Sequence, residues 1–188
     1  MKFPPGIRTC LYNSAGLEAV LDHMAQQAAG LLRGNGPVAV VGVLRRGAPL
    51  ADRLTERLVL RHGLPPPLRL DLSVKRYADD LTLVYPDTQL TESPRDVTLD
   101  LSGVTVLVVD DVLYTGQSLL KVLEHLNRKH AAAVRVAVLV DRGVATLPLR
   151  ADVVGLRLQV APSHIVECHV PPYETDFSLQ LLQPARAR

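Results

Sequence analysis

Two patterns of apolar residues alternate along the chain. Predominantly apolar runs occupy residues 38–44, 104–110 and 134–140, and turn residues bound each run. Runs of this kind predict strands buried on both faces. Apolar residues recurring every three or four positions predict helices over residues 14–32, 48–61 and 117–129, the first capped by Ser14. The alternation is typical of an α/β domain with a mostly parallel sheet flanked by helices.

The remaining segments carry weaker patterns. Residues 1–13 read as irregular, and residues 68–85 as two strand segments interrupted at 75–80. Residues 86–103 are polar and contain prolines, which is typical of a mobile loop. Short apolar segments at 153–155 and 165–170 are the last candidate strands. We therefore predict a single domain over residues 1–188.

Polar sequences follow three of the predicted strands. They are Arg45-Arg46-Gly47, Asp110-Asp111 and Asp141-Arg142-Gly143. Ligands of open α/β sheets bind at the carboxyl ends of the strands. The pattern therefore predicts one site built from three distant segments.

Composition and charge narrow the class of protein. Hydrophobic residues make up 47% and charged residues 21%, which excludes a disordered chain. The net charge of +2 hides an acidic stretch, since residues 79–111 hold eight acidic side chains and one basic side chain. No apolar run is long enough to cross a membrane, and the first residues lack the apolar stretch of a signal peptide, so we expect a cytoplasmic protein. Cys10 and Cys168 are too few for a disulfide framework, and no direct metal site is expected.

The segment from Asp110 to Ser118 carries the clearest chemistry. Two adjacent carboxylates follow an apolar strand, and Thr115 and Gly116 precede the next helix. Unpaired amides at a helix start favour an anion, while carboxylates accept hydrogen bonds from sugar hydroxyls. The combination suits a ribose 5-phosphate. An ordinary capped helix would explain Thr115 and Ser118 but not the two acids.

Residues 109–116, Val-Asp-Asp-Val-Leu-Tyr-Thr-Gly, resemble the ribose-phosphate signature of type I phosphoribosyltransferases. They are closest to the branch of pyrimidine operon attenuation regulators (PyrR). Residues 41–50, 77–82 and 139–155 resemble further segments of that branch, in the same order. The resemblance implies a type I phosphoribosyltransferase fold with a mobile loop at about 86–103. It also implies a small hood and C-terminal segment at about 144–188.

The resemblance also implies roles for individual residues. Asp110, Asp111 and Arg46 would act at the reaction centre. Phosphoribosyl pyrophosphate (PRPP), carrying Mg²⁺, would be bound by Arg45, Arg46, Gly47, Asp110, Asp111, Val112, Leu113, Tyr114, Thr115, Gly116, Gln117 and Ser118. The base would contact Asp141, Arg142 and Val154.

The resemblance implies two functions. As an enzyme the protein would convert uracil and PRPP to uridine monophosphate (UMP) and pyrophosphate. As a regulator it would bind the leader of pyrimidine-biosynthesis mRNA when loaded with a uridine nucleotide. Candidate RNA contacts are Arg8, Arg33, Arg142, Arg150 and Arg157. A homodimer or higher homo-oligomer is expected.

Two residues differ from the family pattern and leave alternative functions open. Ala78 and Gln117 stand where the family usually has arginine. They raise the alternative of a nucleotide-sensing RNA regulator with little catalysis. A salvage enzyme acting on a purine base is a third reading, because backbone groups make much of the base site in such folds.

Overall fold

The computed structural model describes residues 5–75, 89–93, 96 and 98–185. Within these residues, no helix combines the length and apolar character that crossing a membrane would require. Two sheets and three helices make up the regular structure of this described part of the chain. In chain order the elements are β1 (Gly6–Tyr12), α1 (Ser14–Leu32), β2 (Val38–Leu44), α2 (Gly47–Leu60), β3 (Leu68–Lys75), β4 (Gln89–Glu92), β5 (Thr105–Leu113), α3 (Gln117–Arg128), β6 (Ala133–Asp141), β7 (Val153–Arg157), β8 (Ile165–His169) and β9 (Ser178–Pro184).

The larger sheet has the strand order β4-β3-β2-β5-β6-β7. All neighbouring strands are parallel except β4, which runs antiparallel to β3. Helices cover both faces, because α1 and α2 pack in one hydrophobic cluster and α3 packs in the other. The predicted mostly parallel α/β sheet is confirmed. Strand β5 lies at its centre, so the acid pair stands in the middle of the carboxyl edge.

A second sheet of three antiparallel strands has the order β1-β9-β8. Sequence reasoning missed β1, because its residues are mostly exposed and show no periodicity, and it missed β9. Strand β1 is defined by pairing with β9, more than 160 residues away along the chain. The hood predicted at 144–188 needs correction, because β7 belongs to the larger sheet while β1 joins the small one.

Several predicted boundaries also change. Asn13 rather than Ser14 caps α1, since its side chain accepts a 3.0 Å hydrogen bond from the amide of Gly16. Strand β4 lies inside the segment predicted as a loop, and Leu101 there is fully buried. Pairing with β3 explains this strand, whose four residues alone are too short to show a pattern. The motif at 77–82 and the second predicted strand segment lie outside the described residues.

Candidate active site

Asp110 and Asp111 lie within strand β5 and not after it, because the strand continues to Leu113. Val109 and Val112 pack in the same hydrophobic cluster while Leu113 packs in the other, so the alternation of the strand changes phase at the two acids. Each carboxylate accepts a hydrogen bond from the amide of the following residue, at 2.9 and 2.8 Å. Both acids are thereby held in place and remain half-buried at the edge of the sheet.

Burial raises the pKa of the Asp110 carboxyl well above its usual value, and the charge of Asp111 raises it further. Burial also raises the pKa of Asp111, but the guanidinium of Arg46 opposes that shift. Two neighbouring carboxylates therefore repel each other in the ligand-free protein. Hydroxyl donors or a cation brought by a ligand would relieve this repulsion.

The turn after β5 leads directly into α3. Gly116 occupies the N-cap position with φ of 86°, a left-handed conformation that favours glycine, and no side chain caps the helix. The loop at residues 144–151 covers this turn, because the amide and hydroxyl of Thr146 donate to the carbonyl of Thr115 at 3.1 and 3.2 Å. The first amides of α3 thus lie beside a fixed turn, as an anion site requires.

Arg45, Arg46 and Gly47, the arginine loop, connect β2 to α2. The loop approaches the acid pair closely, since a Cβ atom on Gly47 would lie 2.5 Å from the carbonyl oxygen of Val109. Only glycine fits at that position. Arg46 binds the carboxylate of Glu174 at 2.7 and 3.2 Å. Arg45 lies over the ring of Tyr173, 5.6 Å from its centre.

Arg142 follows β6 on the other side of the acid pair. The residue is only 4% exposed, and its guanidinium stacks on the ring of Tyr114 at 4.6 Å. Among the described residues it contacts no carboxylate, and its Nε atom has no hydrogen-bond partner. A buried cation without an anion is costly, so a ligand that brings negative charge would stabilise it.

The structure brings most of the predicted site residues together. Gln117 and Ser118 begin α3, and Asp141 stands at the carboxyl edge beside Arg157, with which it pairs in register. Val154 is an exception: it lies three positions before that edge and packs against the hydrophobic cluster of α3. Val154 is half-buried there, and its contact with the base stays a prediction.

Comparison with known proteins agrees with this geometry. Residues 9–176 match the phosphoribosyl transferase domain family. The chain belongs to the phosphoribosyl transferase family. Its relatives place it in the PyrR branch: it is 32% identical to the Bifunctional protein PyrR of Deinococcus radiodurans, over 94% of this chain and 96% of that protein. It is 39% identical to the protein of the same name from Deinococcus deserti, over 77% of this chain and 76% of that protein.

Solved structures agree on the fold. The hypoxanthine phosphoribosyl transferase of Trypanosoma cruzi superposes with a TM-score of 0.73 over 97% of this chain and 93% of that chain. At 18% identity this likeness concerns the fold alone. The family and fold predicted from the strand-end motif are confirmed for this phosphoribosyl transferase.

The five arginines suggested for RNA do not form one surface in this phosphoribosyl transferase. Arg8 is bound to the buried Glu167 at 3.0 and 3.1 Å, and Arg142 is itself buried, so neither is a favoured contact, and both assignments stay predictions. Arg33 follows α1, at the amino end of the parallel strands. Arg150 and Arg157 share an open cavity of about 530 Å³ with Asp141.

Sequence reasoning missed Glu174, Tyr173 and Thr146. These residues reach the site from loops far along the chain, and their sequence context shows no periodic or motif signal. Cys168 lies beside the acid pair and has no proposed role in the site. Burial raises the pKa of its thiol well above the usual value, so the thiol is an unreactive packing group.

Proposed function

We propose that this protein transfers the 5-phosphoribosyl group of PRPP to uracil, forming UMP and pyrophosphate. We further propose that the same site senses uridine nucleotides and controls binding to the leader of pyrimidine-biosynthesis mRNA. The observation that carries the proposal is the placement of the acid pair between an uncapped helix start and two arginine-bearing strand ends. The printed names of the curated relatives support the bifunctional part of the proposal.

Each half of the substrate has a complementary partner. The carboxylates of Asp110 and Asp111 would accept hydrogen bonds from the ribose hydroxyls, and the turn from Thr115 to Ser118 would hold the 5-phosphate. The arginine loop would face the pyrophosphate. Positive charge develops on the ribose as pyrophosphate leaves C1, and the two carboxylates would stabilise it. Catalysis in this arrangement is mainly positioning and electrostatic stabilisation.

Mg²⁺ fits this site as part of the substrate. Within the described residues no group of three His, Cys, Asp or Glu side chains could hold a metal ion. The acid pair offers carboxylate oxygens, the donors that Mg²⁺ prefers, but a small octahedral ion also needs phosphate oxygens and water. Asp110 and Asp111 would therefore lie near the ion while the pyrophosphate supplies most of its ligands, and the ion would neutralise the leaving group.

The enzymatic part is tested by incubating the protein with PRPP and Mg²⁺ and measuring pyrophosphate release. Uracil, hypoxanthine, guanine and adenine are compared as acceptors. We expect release with uracil and little with the purines. Release with a purine alone would contradict the proposed substrate, and UMP formation confirms the product.

A second candidate is a nucleotide-sensing regulator with little catalysis. Gln117 favours it, because the first residue of α3 brings a neutral side chain to the proposed phosphate turn. This candidate predicts UMP binding and UMP-dependent RNA binding without measurable pyrophosphate release. RNA affinity that is equal with and without UMP would reject nucleotide sensing in either version.

Within the RNA proposal, Arg150 and Arg157 are the favoured contacts. Both are exposed, and both line the cavity at the carboxyl edge of β6 and β7. Arginine binds RNA phosphates and stacks on unpaired bases. The double variant Arg150→Gln/Arg157→Gln should lose RNA binding and keep UMP binding, whereas Arg33→Gln should lose neither.

A further inference from the structure

The turn after strand β8 contacts the arginine loop through two consecutive residues. Tyr173 lies under the guanidinium of Arg45, and Glu174 binds Arg46. The turn belongs to the small sheet, while the arginine loop belongs to the larger one. These contacts therefore join the two sheets at the side of the site that would receive pyrophosphate.

The ion pair between Arg46 and Glu174 is shielded and has well-defined geometry. The two side chains are 14% and 15% exposed. Nε of Arg46 lies 3.2 Å from both carboxylate oxygens, and Nη2 lies 2.7 Å from Oε1. Such a two-point contact fixes the orientation of the guanidinium plane, whereas a single contact would leave it free to rotate.

The carboxylate of Glu174 is itself held in position. Its Oε2 atom accepts a 2.9 Å hydrogen bond from the amide of Val170, a fully buried residue directly after β8. Burial raises the pKa of Glu174, but the hydrogen bonds from Arg46 and the Val170 amide, together with the charge of Arg46, outweigh it, so the pKa is lowered and the group stays ionised. The anchor is therefore rigid as well as charged.

Arg46 also connects this anchor to the acid pair. Its charge lowers the pKa of Asp111 against the effect of burial. Movement of Arg46 would change both the electrostatics of the sugar site and the cation offered to pyrophosphate. A residue that fixes Arg46 thus acts on the reaction without touching substrate.

We propose that Glu174 is a positioning residue that holds the arginine loop ready for the pyrophosphate group of PRPP. This inference rests on the proposed function, since it assigns pyrophosphate to that side of the site. UMP carries no pyrophosphate, so Glu174 has little influence on its binding. The effect of Glu174 on PRPP is transmitted through Arg46.

The test measures the affinities of Mg²⁺–PRPP and of UMP by calorimetry for the wild type and Glu174→Gln. We expect the dissociation constant of PRPP to rise about tenfold, since one charge-assisted contact loses its geometry, while that of UMP stays within about twofold. Glu174→Asp, which keeps the charge, should retain more PRPP affinity than Glu174→Gln. The matched control is Asp176→Asn, an exposed acid in the same turn, which should change neither affinity.

A double variant tests whether Arg46 transmits the effect. Glu174→Gln added to Arg46→Gln should change PRPP affinity no further than Arg46→Gln alone. Equal loss of PRPP and UMP affinity in Glu174→Gln would overturn the proposal in favour of a general structural role. Tighter PRPP binding would overturn it too, because Glu174 would then compete with pyrophosphate. If the wild type bound UMP but no PRPP, the proposed transferase function itself would fail.

Discussion

Arg46 and Arg142 follow the two strands that flank the acid pair, yet their surroundings differ. Arg46 is paired with a carboxylate that is anchored in the small sheet. Arg142 is more deeply buried and rests on an aromatic ring, with no carboxylate near it among the described residues. The two sides of one site thus hold their cations by opposite means.

The difference indicates a division of roles. On the β2 side the charge is compensated within the protein, so the arginine loop is organised before any ligand arrives. On the β6 side no carboxylate of the described residues compensates the buried charge of Arg142, and we expect a bound nucleotide to do so. We expect changes on paired arginines to affect stability or geometry, and changes at Arg142 to affect ligand affinity.

The largest expected effect concerns the acid pair that both sides share. Asp110→Asn/Asp111→Asn keeps the shape and removes both charges, so PRPP affinity should fall about 100-fold or more, because two charge-assisted contacts with the ligand are lost. Calorimetric titration checks this. Unchanged PRPP affinity would mean that the sugar binds elsewhere.

The pair of Arg8 and Glu167 tests the rule for paired arginines away from the site. Glu167 is fully buried and Arg8 is 35% exposed, so Arg8→Gln leaves a buried carboxylate without its main partner. We expect a loss of about 2 kcal/mol in the free energy of unfolding, measured by denaturant titration. Arg33→Gln, at an exposed position, should cost almost nothing. Equal stability of the two variants would contradict the expectation that a paired arginine contributes to stability.

Arg142→Gln tests the β6 side of the site. UMP affinity should fall about tenfold because the ligand loses a cationic partner, while the free energy of unfolding changes little or rises. Fluorescence or calorimetric titration, together with thermal unfolding, separates these effects. A variant that loses stability but keeps UMP affinity would show that Arg142 serves packing against Tyr114.

The smallest expected effect is a pH dependence. Because the pKa of Asp110 is raised in the folded protein, the native state holds a proton that the unfolded chain has released at the same pH. Stability contributed by this group therefore falls as pH rises from the unfolded value of 3.8 through the folded pKa. Asp110→Asn should raise the free energy of unfolding at neutral pH by about 1 kcal/mol. A wild-type protein that matches the variant at neutral pH would contradict the raised pKa.

The larger sheet could be predicted from sequence because its strands are buried runs between amphipathic helices. The small sheet could not be predicted, since β1 is mostly exposed and is defined only by its partner β9. Strand β4 escaped detection for a similar reason, because four residues show no pattern until β3 is beside them.

The site, too, could be predicted only where its residues are contiguous in sequence. Asp110, Asp111 and the turn to Ser118 are contiguous, so a motif identifies them. Glu174 lies 128 residues from Arg46, and only the fold brings the two together. The role of Val154 could not be predicted, because an apolar residue near a site-forming segment gives no sign of whether it contacts a ligand or the core.

The most direct test of a shared site is calorimetric titration of the wild type with Mg²⁺–PRPP, UMP and a purine monophosphate. We expect PRPP and UMP to bind with one ligand per chain and to compete with each other. We expect the purine nucleotide to bind more weakly. No binding of PRPP, or binding of PRPP and UMP together without competition, would contradict a shared ribose-phosphate site at the acid pair.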